Sequence, residues 1–313
     1  MSKLNVIGPP ADAYPPHALH AVDRPWPETN CYLDLWIELL HALGRDPLPL
    51  LGLAAALDWE ADHFTFLKPS PSDIVTMTGV TLHELALWDD TEAHIVAQIT
   101  TRAVPLLEVD AFFLPDTHSN AYRHKHTKTT IAIDSIDPNQ NRLEYFHNAG
   151  HFSLSDEDYA GVLGRAPHQS VLFPFAELAR VTADPATPKA ARELARLLLP
   201  RYARTRSPGN PVARFAAALP DLLTRVGPDP ARINALCFNT TRQFGGAFGL
   251  LADHLAWLGE DSADASWLAN SAKTLQFQVA RAARRTRPDP AIAAALHDMA
   301  TVWDRCMTSI AAY

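Results

Sequence analysis

Strand-period signals in this chain fade after Gly150 and give way to helical spacing, and that change constrains the fold more than any motif does. Before it, three runs read as strands: VPLLEVDAFFL (104–114), KTTIAIDSI (128–136) and RLEYFHN (142–148). DPNQN between the last two is turn chemistry, so those runs are expected to form an antiparallel hairpin. After it, segments near 174–183, 188–206, 211–226, 230–259, 262–286 and 289–312 repeat apolar residues at helical spacing. Proline-rich joints (DPATP, SPGNP, GPDP, RPDP) separate most of them. SLSDEDYAGVLG has a Ser N-cap with an acidic residue three places later and marks a short helix at the changeover. The expected fold class is α+β, with a mixed domain over 1–165 and an all-helical bundle over 166–313.

Ahead of the strands, an apolar helix is expected from about Cys31 to Leu43, stopped by Gly44. HFTFLK (63–68) is a short strand candidate, and 72–100 reads as mainly helical with a break near Gly79. With 313 residues, 47% hydrophobic and 20% charged, the chain can bury a full core. It holds no apolar run of some 18 residues or more, so no membrane partner is expected. The opening residues lack the basic-then-apolar pattern of a secretory signal. Cys31, Cys237 and Cys306 are far apart with no CxxC pair, which suits a reducing cytoplasm better than a disulfide framework. Residues 1–150 hold 9 Lys/Arg against 20 Asp/Glu, and the remainder 18 against 15. An acidic front half argues against nucleic acid as a partner. The Arg runs RYARTR (201–206) and RAARRTR (281–287) are solvated helix faces or a dock for an acidic protein.

Cys31 stands where PWPETN turns into that first helix. A thiol there is either a small hydrophobe at the edge of a core or a nucleophile whose thiolate is favoured by the helix N-terminus. A nucleophile needs a base and a group to orient the base. In chain order the sequence offers His124 and His126 in YRHKHTKTTIAI, then His147 and Asn148 in LEYFHNAG. If the two runs are hairpin partners, His126 and Asn148 can be neighbours, giving helix Cys, strand His, strand Asn, the order of a Cys-His-Asn triad. His118, His124 and His126 could instead ligate a metal, but Arg123, Lys125 and Lys128 beside them repel a cation, and no metal is expected.

WPETNCYLDLWIELLHALG, LLEVDAFFLPDT, HTKTTIAI and EYFHNAG resemble an uncharacterised bacterial family found near amino-acid:carrier-protein ligases. More distantly, over residues 20–150, the helix Cys, the VDAFFLP strand and the following His resemble the papain-like N-terminal domain of the butirosin biosynthesis protein H family. That resemblance implies a papain-like fold and transfer of an acyl or aminoacyl group from a carrier-protein thioester to a small-molecule amine acceptor. No cofactor would bind directly; phosphopantetheine would arrive on the carrier protein. Cys31 would be nucleophile, His126 base, and Asn148 or His147 the orienting group, where the butirosin-type relatives carry Asp. Asp110 would bind the amine acceptor or brace the site, the alternative being a strand-end residue that caps a turn, and Trp26 would line the acyl pocket or be a core aromatic. Glu28 and His124 are further substrate-binding candidates, and backbone N–H groups at Cys31, with a side chain from WPETN, would meet the oxyanion. A cysteine hydrolase and a non-catalytic carrier-protein-binding protein are the alternatives.

Overall fold

The run that follows Cys31 is apolar on every side, and a helix of that kind has to be buried. In the computed structural model, which describes residues 4–7, 10–166, 174–285 and 290–313, it forms α1 (Cys31–Ala42). Seven apolar side chains between Tyr32 and Leu40 are at most 2% exposed, and Asp34 and Glu38 are buried with them. Gly44, at φ 68°, ends the helix as its position suggested, with Arg45 N–H reaching back to Leu40 O.

The chain divides into two compact units that alternate along the sequence. Residues 1–21, 31–47 and 70–186 make the first, and 22–30, 48–69 and 187–313 make the second. The first unit holds an antiparallel sheet of β1 (Val80–Leu85), β2 (Val104–Asp110), β3 (Lys128–Asp137), β4 (Arg142–His147), β5 (Gly150–Ser155) and β6 (Ala176–Val181). The strands lie in the order β1-β6-β2-β3-β4-β5, and the short strand Leu4–Asn5 pairs with β3. Besides α1, which packs on β3, β4 and β5, the unit has α2 (Pro71–Thr78), α3 (Thr91–Thr100) and α4 (Asp156–Val162).

The expected β3–β4 hairpin forms, with Asp137 Oδ1 accepting the N–H groups of Asn139 and Gln140 and Asn141 at φ 47°. Register shifts between Ile133 and Ser135, so Asp134 is the extra residue of a bulge. Ile131, Ile133, Leu143, Tyr145 and Leu154 alternate onto one face, where they form a core with Ile95, Ile99 and Tyr159. Phe146 and His151, on the opposite face, stack at 4.1 Å beneath Tyr14.

Two expected helices are strands. Gly79, in the left-handed conformation at φ 71°, closes α2 after Thr78, and the alternating VTLHEL that follows becomes β1. AELARV (176–181) consists mostly of good helix formers, yet it fills the slot between β1 and β2 and pairs with both. The sheet therefore draws on residues beyond 165.

The second unit is helical: α5 (Pro188–Arg204), α6 (Pro211–Val226), α7 (Pro230–Cys237), α8 (Gln243–Leu258), α9 (Ala263–Arg285) and α10 (Pro290–Ala311). A π-helical turn, Phe238–Arg242, joins α7 to α8. The proline joints supply N1 residues, and Thr187, Asn210 and Asp229 cap the helices behind them. The strand candidate at 63–68 shrinks to His63–Phe64, paired with Trp59–Glu60, and Trp59 and Phe64 pack with Phe215. A 3₁₀ segment, Leu48–Ala56, fits against α8 only because Gly52 has no side chain; a Cβ there would lie 2.6 Å from His254 Nε2.

Candidate active site

Antiparallel pairing gathers particular strand ends. β2 and β4 finish, and β3, β5 and β6 begin, at one end of the sheet. The start of α1 belongs to the same end, because the Tyr32 hydroxyl donates to Glu177 Oε2 (2.7 Å), and Glu177 is the second residue of β6. Burial and Glu177 raise the Tyr32 hydroxyl well above its ordinary pKa, so it stays a donor. Cys31, Asp110, His126 and Asn148 thus come to one region. Among the described residues the Cys31 thiol forms no hydrogen bond with His124, His126 or Asn148.

Cys31 is the first residue of α1 and half-buried. Cys237 and Cys306 are buried inside the helical unit, and burial pushes their thiols up to about 11 and about 12. Of the three, only Cys31 combines access with a helix N-terminus.

His126 is held by Asp110, not by Asn148. Its Nδ1 lies 2.5 Å from Asp110 Oδ2, and its ring stacks on Phe112 at 4.5 Å. Asp110 is fixed in turn, since Oδ1 accepts the N–H groups of Phe112 (3.0 Å) and Thr127 (3.1 Å). Of the two roles open to Asp110, this geometry fits bracing: it orients the imidazole and leaves Nε2 as its open nitrogen. The His126 side chain is 74% exposed. His124 is exposed as well.

Asn148 makes the two-residue turn between β4 and β5, at φ 44°, a conformation Asn tolerates better than most residues. Its position is explained by the turn. His147 cannot orient a base for Cys31 either, because it alternates with Phe146 onto the Tyr145 face of the sheet. There its Nδ1 pairs with Asp116 Oδ2 (2.5 Å) and its Nε2 with the Thr129 hydroxyl (2.8 Å), while Tyr145 donates to Asp116 Oδ1 (2.5 Å). Both ring nitrogens are occupied and the imidazole is buried.

Trp26 and Glu28 belong to the second unit. The Trp26 indole N–H donates to Ala269 O (2.8 Å), and its ring fills the space over Gly245, where a Cβ would come within 2.3 Å. A ring so enclosed anchors the loop and is not free to line an acyl pocket. Glu28 pairs with Arg242 at 3.0 Å.

Two buried polar networks gave no sequence signal, because Asp, Glu and His inside apolar runs look like interruptions. Glu38 of α1 accepts from the Tyr14 hydroxyl (2.5 Å), the His17 N–H (3.0 Å) and the His20 ring, while His20 Nε2 lies 3.6 Å from Asp34. The two carboxylates outweigh burial and hold the His20 imidazole up at about 9, so it is a buried imidazolium at neutral pH. Burial opposes ionisation of Glu38, but these donors win and keep its carboxyl below the usual range. Asp134, Glu144 and His151 form the second network, each offering a ligand atom within 4.8 Å of the others. By donor type this is the set that could hold a metal ion among the described residues. It also has protein partners: Ile7 N–H donates to Asp134 (2.7 Å), and Ser135 donates to Glu144 (3.1 Å).

Among the described residues no helix is long and apolar enough to cross a membrane. Residues 15–181 match the family model of the DUF1839 N-terminal domain, and residues 188–312 that of the DUF1839 C-terminal domain. No curated protein matches the chain.

Proposed function

The chain belongs to the DUF1839 family, and from that premise we propose that it is an acyltransferase working through a Cys31 acyl-enzyme. The observation that carries the reading is the half-buried thiol at the first residue of α1, at the sheet end where Asp110 holds His126. A helix laid across an antiparallel sheet with a thiol at its start also fits a papain-like fold. The donor is an acyl or aminoacyl group carried as a thioester on the phosphopantetheine arm of a carrier protein, and the acceptor is a small-molecule amine. The sequence resemblances support that donor and acceptor.

In the first half-reaction His126 Nε2 takes the Cys31 proton, and the thiolate attacks the thioester carbonyl. The carbonyl–sulfur bond to the arm breaks, and the departing thiolate takes the proton back from the imidazolium. In the second half the amine attacks the Cys31 thioester, His126 accepts its proton, and the Cys31 sulfur leaves as the amide forms. Asp110 stabilises the imidazolium and fixes its tautomer. The chemistry requires His126 Nε2 to come within hydrogen-bond reach of Sγ once the donor is bound.

Intact-mass analysis after mixing with an aminoacyl-loaded carrier protein tests this reading. The expected result is one acyl adduct on Cys31, absent from Cys31→Ala, slowed in His126→Ala and Asp110→Asn, and discharged by an added amine. Release of free acid without amine dependence identifies a hydrolase instead. No adduct, or one that persists in Cys31→Ala, refutes the acyl-enzyme.

A further inference from the structure

α9 buries Leu268, Ala272, Leu275 and Val279 in the helical unit. A different stripe, at successive steps of four, four and three residues, presents Lys273, Phe277, Arg281 and Arg284. Arg281 and Arg284 are exposed, and Phe277 is 61% exposed, an unusual place for so large an apolar ring. Between 265 and 285 the chain has no acidic residue.

Among the described residues none of these three cations forms an ion pair, although cations elsewhere in the same unit do: Arg24 with Asp253, Arg196 with Glu260, Arg214 with Asp58, Arg225 with Asp62. The π-helical turn lies alongside, since Cys237 Sγ is 3.8 Å from Gln276 O. There Phe238 is 42% exposed with the Arg242 guanidinium 4.8 Å over its ring. Turns of this kind occur often at functional sites. Lys273 lies 4.3 Å over the Trp26 ring and Arg242 is paired with Glu28, so among the described residues the uncompensated positive charge of this strip is that of Arg281 and Arg284, set beside the exposed rings of Phe277 and Phe238.

We propose that this strip docks an acidic protein surface, and that its partner is the carrier protein; the partner's identity rests on the acyl-transfer reading above. Charge complementarity selects the occupant, with cations steering the encounter and Phe277 and Phe238 giving it apolar anchors. A membrane is a poor fit, because the continuous apolar face of α9 is already buried and two rings do not replace it. In the other arginine cluster, Arg201 is exposed but its two companions are engaged internally. Arg206 lies 4.4 Å over the Trp303 ring, and Arg204 Nε donates to Pro200 O. The side chain of Arg285 and residues 286–287, the rest of the second run, lie outside the described residues.

The test is binding of the full-length protein to a fluorescently labelled, phosphopantetheine-bearing acyl carrier protein of strongly acidic surface. Arg281→Glu with Arg284→Glu should weaken binding by about tenfold or more at low salt. Raising salt from ~0.05 to ~0.5 M should weaken the wild type and bring the two together. Phe277→Ala should weaken binding severalfold at both salts, and Arg201→Glu with Arg204→Glu should leave it unchanged. Wild-type affinity in the Arg281/Arg284 variant overturns the proposal. So does a variant that keeps carrier-protein binding while losing a phosphatidylglycerol vesicle or a 20-nucleotide single strand. Acylation of Cys31 by an N-acetylcysteamine thioester separates the two readings: its absence refutes acyl transfer, while the binding data still decide the dock.

Discussion

The two units treat ionisable side chains in opposite ways. Among the described residues the first unit buries His20, Asp34, Glu38, Asp134, Glu144, His147, His151 and Asp158. Among its described residues the second buries only Asp58 and His254 of comparable type, and the other buried polar residues there are neutral. Apart from Arg214–Asp58, whose carboxylate is buried, its ion pairs among the described residues lie nearer the surface, where each contributes little. Desolvating charge is costly, so the first unit holds its shape through groups that must all be paired at once. The second holds its shape through apolar packing and tolerates the loss of any one pair. Specific, breakable geometry lies in the unit that carries Cys31.

The hardest test of that contrast is Glu38→Ala. It strands the His17 N–H, leaves the His20 imidazolium with Asp34 alone and the Tyr14 hydroxyl with only the residue 38 carbonyl, and removing one partner of such a buried set costs about 3–5 kcal/mol. Asp58→Ala in the helical unit should cost about 1–3 kcal/mol, because its Arg214 partner can turn to water. Urea unfolding followed by tryptophan fluorescence and limited proteolysis measures both. Equal losses would erase the distinction.

Acid and alkali should then loosen different units. His20 is held up at about 9 by Asp34 and Glu38 against an ordinary value of 6.5, so its stabilisation is complete below pH 6.5 and drains away as pH rises through 9. His254 is pushed down to about 4 by burial, so its neutral form stabilises fully above pH 6.5, and that stability is lost as pH falls toward 4. Each effect is on the order of 3 kcal/mol. Hydrogen exchange at pH 5, 7 and 9 should show α8 exchanging faster in acid and α1 faster in alkali. The same unit loosening at both extremes would contradict the assignment.

The smallest effect sharpens the comparison from the surface of the first unit. Asn148→Gly should change stability by only a few tenths of a kcal/mol and Asn148→Ala should cost about 1 kcal/mol, because a positive φ is all that the turn demands. Neither should alter the rate at which Cys31 is acylated. A large rate loss in Asn148→Gly would return Asn148 to the catalytic group.

What was legible in the sequence follows from how local each signal is. The start of α1 at Cys31, its stop at Gly44 and the β3–β4 hairpin rest on caps, turns and short periods, and all three form. β1 and β6 were hidden: the first is a short alternation between helices, and the second has helix-forming residues that only a vacant strand position turns extended. In the site, Cys31 and His126 could be singled out by residue type, but the partner of His126 could not. Chain order pointed to Asn148, whereas the carboxylate that reaches the imidazole is 16 residues upstream, at the end of an adjoining strand. The pairing of Glu38 with Tyr14, His17 and His20 depends on how the N-terminal arm lies on α1, which no local pattern records.

The alternation of the two units along the chain bears on how the protein is made and how it can be divided. The family boundary between 181 and 188 looks like a place to cut, yet the helical unit also owns residues 22–30 and 48–69. A fragment beginning at Thr187 would lack Trp26, Trp59 and Phe64, and with them the aromatic packing around Phe215 and Phe244. During synthesis those two N-terminal segments leave the ribosome long before the helices they join, and must wait unpaired while the sheet assembles. A cut at the family boundary therefore divides the helical unit itself.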